Sequence, residues 1–198
     1  MLKRYTIAAA IMSMLAVAAL SATTRYSIDT NHSNVSFSVP IMDGLAKVTG
    51  KFTDFTIDID YDDKDITKSS VKAVIKATSI DTGIERRDAH LRNPDFFEVE
   101  KYPEITFESK RIEKKGDKLF AHGTFTMRGV SKEIALPFTI KGPVKNPDGT
   151  PGAMGFSARL VLNRQDYGVS FKNKNAPNFL GDNVEVMIDL ITRPQKKQ

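Results

Sequence analysis

Between Thr82 and Phe107 the chain crowds together the residue types that bind charge. Arg86, Arg87, His90 and Arg92 are interleaved with Asp88 and Asp95, and Phe96, Phe97 and Tyr102 follow closely. Planar guanidinium groups suit phosphate or carboxylate, so Arg86, Arg87, His90 and Arg92 are candidates for holding an anionic group. The competing assignment, which the residue types favour, pairs Arg87 or Arg92 with Asp88, Asp95 or Glu98 to fasten the segment itself. Catalytic chemistry finds little support. The three histidines, His32, His90 and His122, lie far apart, and no HExxH or comparable metal spacing occurs. Gly-x-Ser-x-Gly and a phosphate-cradling glycine loop are also absent. Ser33 beside His32 is no triad, because geometry rather than adjacency defines one. Asp29 and His32 suit a turn, since Asp-x-Asn-His-Ser is rich in side chains that bond their own backbone. No catalytic residue, metal or cofactor is therefore expected, and the chain reads as a non-enzyme.

The segment stands out because its surroundings alternate with period two. Val35, Phe37 and Val39 share a face, as do Phe55, Ile57 and Ile59; Val71, Ala73, Ile75 and Ala77 follow the same rule less cleanly. Ile105 and Phe107 begin another strand. Then come Leu119 to Met127, Ile134 to Ile140, Phe156 to Leu162 and Val184 to Leu190. About eight strands result, separated by turn signals such as Lys115-Gly116-Asp117 and Arg128-Gly129. The class is all-β. Sequential antiparallel strands of this number suggest an up-and-down barrel or a sandwich, and a barrel removes exposed edges. Thr82 to Phe97 reads as a short helical lid. Ala73, Ala77, Ala121, Gly123 and Ala158 are small where a filled core would take bulk. They fit either a tapering filled barrel or a cavity, and eight strands are near the size that holds one small molecule.

The first 22 residues are a separate unit. Lys3 and Arg4 precede an apolar run from Ile7 to Leu20, and Ala19-Leu20-Ser21-Ala22 offers small residues for cleavage. This pattern predicts a signal peptide over residues 1–22, a run too short to span a bilayer. The domain is then 23–198, exported to the periplasm. The absence of cysteine fits that compartment better than a disulfide-rich secretome. Removing Lys3 and Arg4 lowers the formal charge from +5 to +3. Acids and bases are interleaved except at Lys196-Lys197, so no nucleic-acid partner is expected.

Five pieces in order resemble the YceI-like family of periplasmic proteins. Tyr26 to Phe37 is similar to its opening strand, and Gly50-Lys51-Phe52 to the step that follows. His90-Leu91 through Phe97, with Tyr102-Pro103 to Phe107, resembles its central signature. Gly123 to Leu136 is similar to its hairpin. Arg164, Asp166 and Gly168 resemble its late turn, with Tyr167 in place of the usual Phe. Two features depart from the pattern: Pro40-Ile41 stands where many relatives carry His, and the segment 172–182 is particular to this chain.

The resemblance implies an eight-stranded antiparallel lipocalin-like barrel that binds a polyisoprenoid, quinone or fatty-acid derivative. For such a ligand, the residue types make Phe37, Phe52, Phe55, Ile75, Arg87, His90, Phe97, Phe107 and Phe125 the expected ligand-binding residues, with ordinary core as the competing assignment for the aromatics. The resemblance also admits a homodimer and a transient contact with a membrane surface. Two alternatives stay open: an enzyme acting on such a lipid, and a filled barrel serving as an interaction module in a stress or redox system.

Overall fold

The computed structural model describes residues 23–195; the expected signal peptide lies outside them. The chain runs through β1 (Thr24–Ile28), β2 (Asn34–Ile41), β3 (Ala46–Phe52), β4 (Phe55–Tyr61), β5 (Ser70–Lys76) and β6 (Ile80–Asp81). A short helix α1 (Glu85–Arg92) follows. The long strands come next: β7 (Glu104–Lys115), β8 (Lys118–Met127), β9 (Val130–Lys141), β10 (Met154–Asn163) and β11 (Asn183–Pro194).

Eight strands form a closed antiparallel ring in the order β1-β4-β5-β7-β8-β9-β10-β11, closed by β1 against β11. The remaining three, β2, β3 and β6, continue outward from β11. The alternation marks seven of the ring strands and β2. It does not mark β1, β3 or β6, which carry fewer large apolar residues in register. The opening strand is also broken in two. A single helical turn at Thr30–His32 separates β1 from β2, and His32 Nδ1 lies 3.1 Å from Asp29 Oδ2 within it. Ala77 leaves the strand pattern for the turn Ala77–Ser79.

Two turns show why the sequence closes hairpins where it does. Arg128 and Gly129 both have positive φ, 49° and 73°, the conformation that matches strand twist in a two-residue hairpin loop. Opposite Gly123 the β7–β8 register shifts between Ser109 and Arg111. A side chain at Gly123 would place its Cβ 2.2 Å from the Glu108 carbonyl oxygen, so only glycine fits this bulge.

At one end of the barrel lie α1, the Arg128–Gly129 turn, the turn Arg164–Tyr167 and the tip between β2 and β3. Helix α1 is tied down largely by polar contacts, with Leu91 packed against the core. Asp88 is buried and accepts from Thr82 N at 2.9 Å and from the Thr82 hydroxyl. Arg92 donates to the carbonyls of Thr78 and Ile80. Beyond the helix, Phe96 and Val99 join the core. Gly123→Ala is expected to cost about 2 kcal/mol through the clash at the bulge. Thermal unfolding should show Tm lower by roughly 4–8 °C for a domain of this size.

Candidate functional site

The ring encloses a cavity rather than a filled core. Its wall takes Ile57 and Ile59 from β4, Val71, Ala73 and Ile75 from β5, and Ile105, Phe107 and Ile112 from β7. Ala121, Phe125 and Met127 follow from β8, and Ile134, Leu136 and Phe138 from β9. Strands β10 and β11 give alternate residues from Phe156 to Leu162 and from Val184 to Leu190. Leu91, Phe96, Phe97, Val169 and Leu180 line it from the lid end. The space open to the centre of a water-sized sphere is about 230 Å³. One water needs roughly 10–15 Å³ by that measure, so the cavity exceeds it by an order of magnitude.

Burial along the wall agrees. Ile134, Leu136, Phe138, Leu160, Leu162, Val184, Val186 and Ile188 point inward yet remain only half-buried. A close-packed interior would hide them completely. Most of the buried apolar residues fall into two clusters, one around Phe52, Ile75, Phe96 and Phe156 and one around Phe107, Ile112 and Ala121. Of the five small residues expected to make room, Ala73, Ala121 and Ala158 line the cavity. Ala77 is packed into its turn, and Gly123 serves the bulge.

The structure brings six of the nine sequence-predicted site residues to the wall: Phe37, Phe52, Ile75, Phe97, Phe107 and Phe125. Phe37 and Phe52 stand 5.9 Å apart, and Phe52 meets Phe97 edge-on at 6.0 Å. Three aromatic rings thus run from β2 to the lid. Phe107 and Phe125 face each other across β7 and β8. Phe55, paired with Ile75 at the start of β4, packs on the core cluster without lining the cavity.

Arg87 and His90 are placed outside it, in a shallow surface groove with Ile84, Arg86, Ala89 and Asn93. Arg87 donates to the Thr82 hydroxyl at 2.7 Å and to the Thr82 carbonyl at 2.9 Å. His90 Nε2 lies 2.9 Å from Asp95 Oδ2, and its ring meets Phe96 and Phe171 edge-on. Both side chains fasten the lid. The expected ion pairs fall differently from the sequence reading, however: Arg92 reaches Glu85, and Glu98 is taken by Arg128.

Arg164 is the one charged residue among the described lining residues, and the sequence reading gave it no part in the site. It continues the inward series Leu160, Leu162, so its register already placed a charge where only carbon is expected. The structure explains how the charge is held. Arg164 Nε donates to Gly181 O at 2.9 Å, and Nη1 to Val169 O at 2.6 Å and Phe171 O at 3.1 Å. Nη2 donates to Leu180 O at 3.3 Å and to Asp182 Oδ1 at 2.8 Å. Burial lowers the guanidinium pKa, with Asp182 opposing it. Every nitrogen is engaged, so Arg164 ties the 169–182 segment to β10 instead of offering a free charge to a ligand. Arg128 does the same for the lid, donating to Gly168 O, Pro94 O and Glu98.

Comparison with known proteins agrees with this geometry. The YceI-like domain model matches residues 26–192. A UPF0312 protein of Photorhabdus laumondii is 34% identical over 152 residues, covering 77% of this chain and 78% of the relative. The crystal structure of the Campylobacter jejuni YCEI protein superposes with TM-score 0.67 at 32% identity, over 77% of this chain and 88% of that one. A polyisoprenoid binding domain from Saccharophagus degradans superposes with TM-score 0.67 over 86% of this chain and 98% of that one. Its 18% identity speaks to the fold alone.

Arg164→Leu would strand four backbone carbonyls and take from Asp182 its guanidinium partner, leaving it Gln165 and solvent. It is expected to cost about 3 kcal/mol, read as a lower midpoint in urea unfolding. Arg164→Lys should recover only part of this, because one ammonium lacks the forked reach of the guanidinium.

Proposed function

The chain belongs to the YceI-like domain family, and we propose that it is a periplasmic carrier or sequestering protein for a long apolar amphiphile, such as a polyisoprenoid, a quinone or a fatty-acid derivative. The carrying observation is the hollow, apolar interior. A prenyl or acyl chain needs no directional polar partner along its length, only a dry wall to replace water. Each buried CH₂ contributes roughly 0.8 kcal/mol, or about 4 kcal/mol for a five-carbon unit. Several units offset association costs of about 4–15 kcal/mol.

Two further points support the reading. The Saccharophagus degradans neighbour is described as a polyisoprenoid binding domain. The charged start and apolar run of residues 1–22 support export. The open interior weighs against a filled-barrel interaction module. A catalytic role draws nothing from the wall, where the charged group, Arg164, has its donors occupied.

The reading is tested by purifying the protein from its periplasm without detergent, extracting it with organic solvent and identifying lipids by mass spectrometry. A prenyl or acyl species near one per chain is expected. A clean extract from folded protein that also takes up no added isoprenoid would sink the proposal. Ala158→Phe extends a ring into the free space rather than into a packed core. It should leave Tm unchanged or higher while weakening long-chain uptake by roughly tenfold, measured by displacement of a fluorescent prenyl probe.

A further inference from the structure

We propose that the tip between β2 and β3, together with the adjoining strand of chain at Phe179, is the face by which the barrel docks on an anionic lipid bilayer. This rests on the carrier reading and concerns how its cavity meets the membrane.

Large apolar side chains are exposed at this tip to an extent seen at few other places. Leu45 is 80% exposed, Met42 49% and Phe179 40%. They belong to one laced unit. Met42 N donates to Phe179 O and Gly181 N to Pro40 O, each at 2.8 Å, and Ile41 bridges to Leu180. The tip is also held in a demanding backbone. Met42 and Asp43 both lie in the left-handed region, at φ 55° and 54°; aspartate visits it readily, but it disfavours a side chain such as that of Met42. Strain kept at an exposed turn points to a use for the side chains it presents.

The unit adjoins the cavity. Leu180, next to Phe179, and Val39, three residues before Met42, both line it. Its charge suits an anionic surface. Lys172 and Lys174 are exposed and have no ion-pair partner among the described residues, while Asp182 is engaged by Arg164. Asp43 is the acid left at the tip itself. A hairpin end with exposed apolar side chains, laced to a segment that carries the exposed Lys172 and Lys174, matches the apolar-plus-basic pattern of interfacial binding. It is a projection that enters a lipid interface, not a flat area that would seat a protein. A cargo insoluble in water has to be collected from a membrane or returned to one, and a docked tip would bring the lid end of the cavity there.

The test is flotation of the purified protein with vesicles of phosphatidylglycerol and phosphatidylethanolamine, compared with vesicles of phosphatidylcholine alone. A Leu45→Asp/Phe179→Asp double variant and a Lys172→Glu/Lys174→Glu double variant are run beside it. The wild type is expected to float with the anionic vesicles. The apolar double variant should partition at least tenfold less, and the lysine variant should lose the preference for anionic lipid. Uptake of a fluorescent farnesyl analogue from dilute solution, without vesicles, should be unchanged in both variants, which also confirms that they fold. Flotation of the apolar variant equal to wild type would overturn the proposal, as would a wild type that does not float. A concentration-dependent dimer lost in the apolar variant, with no vesicle binding, would reassign the face to a second copy. A wild type that floats but takes up no probe would overturn the carrier reading while leaving the docking face standing.

Discussion

The interior depends on a narrow closure. Strand β1 has only three residue pairs with β4 and three with β11, yet it joins the two ends of the ring. A filled protein tolerates a loose edge because its core holds the layers together. A hollow one has less interior contact, so its shape must come from the sheet. Without cysteine, no covalent staple shares the task. The closing contacts are correspondingly well supported. Tyr26 of β1 is buried and meets Tyr61 of β4 edge-on at 6.1 Å, and burial raises the pKa of both phenols. Thr192 of β11 is fully buried, with its hydroxyl donating to Met154 O. Beside β1, Arg193 reaches Asp29. The seam is therefore aromatic inside and charged outside.

The lid end is fastened by a different physics. Arg164 and Arg128 each gather carbonyl oxygens from segments distant in sequence, and Asp88 and Arg87 converge on Thr82. Irregular backbone close to an apolar space has few partners for its polar groups. Arginine, with five donors in one plane, serves several carbonyls at once. The charges near the cavity thus act as scaffolding. The apolar wall is left to interact with whatever enters, free of competing polar groups.

Much of the fold was legible because period-two alternation is a direct imprint of burial on one face. Strands β4 and β8 to β11 carry it most clearly; β5, with Ala73 inward and Val74 outward, carries it less cleanly, and in β7 Ile105 and Phe107 begin it. Strand β6, two residues long, is too short to show a period, and β3, reading Ala-Lys-Val-Thr-Gly-Lys-Phe, has small or polar residues where the period would need bulk. The aromatic lining was legible for the same reason, with Phe55 the exception: it sits at the strand's first residue and packs on the core cluster instead. What the sequence could not reveal was the destination of the lid's charges. Arg87 and His90 have the chemistry of a headgroup site, but which partner a guanidinium meets depends on the path of β6 and α1. Arg164 was available by register alone, as the charged continuation of an inward series, and its partners lie 5 to 18 residues further along the chain.

The half-covered wall of β9, β10 and β11 carries a thermodynamic consequence. Side chains such as Leu136, Leu160 and Val186 fold into position without acquiring the neighbours that ordinarily reward burial. A bound chain of carbon would supply those missing neighbours, becoming in effect a removable piece of the hydrophobic core. On the carrier reading, folding and loading would be two stages of one process, and mass action would make the apparent stability of the barrel rise with the supply of ligand. The protein's resistance to unfolding would then gauge how much of that ligand surrounds it.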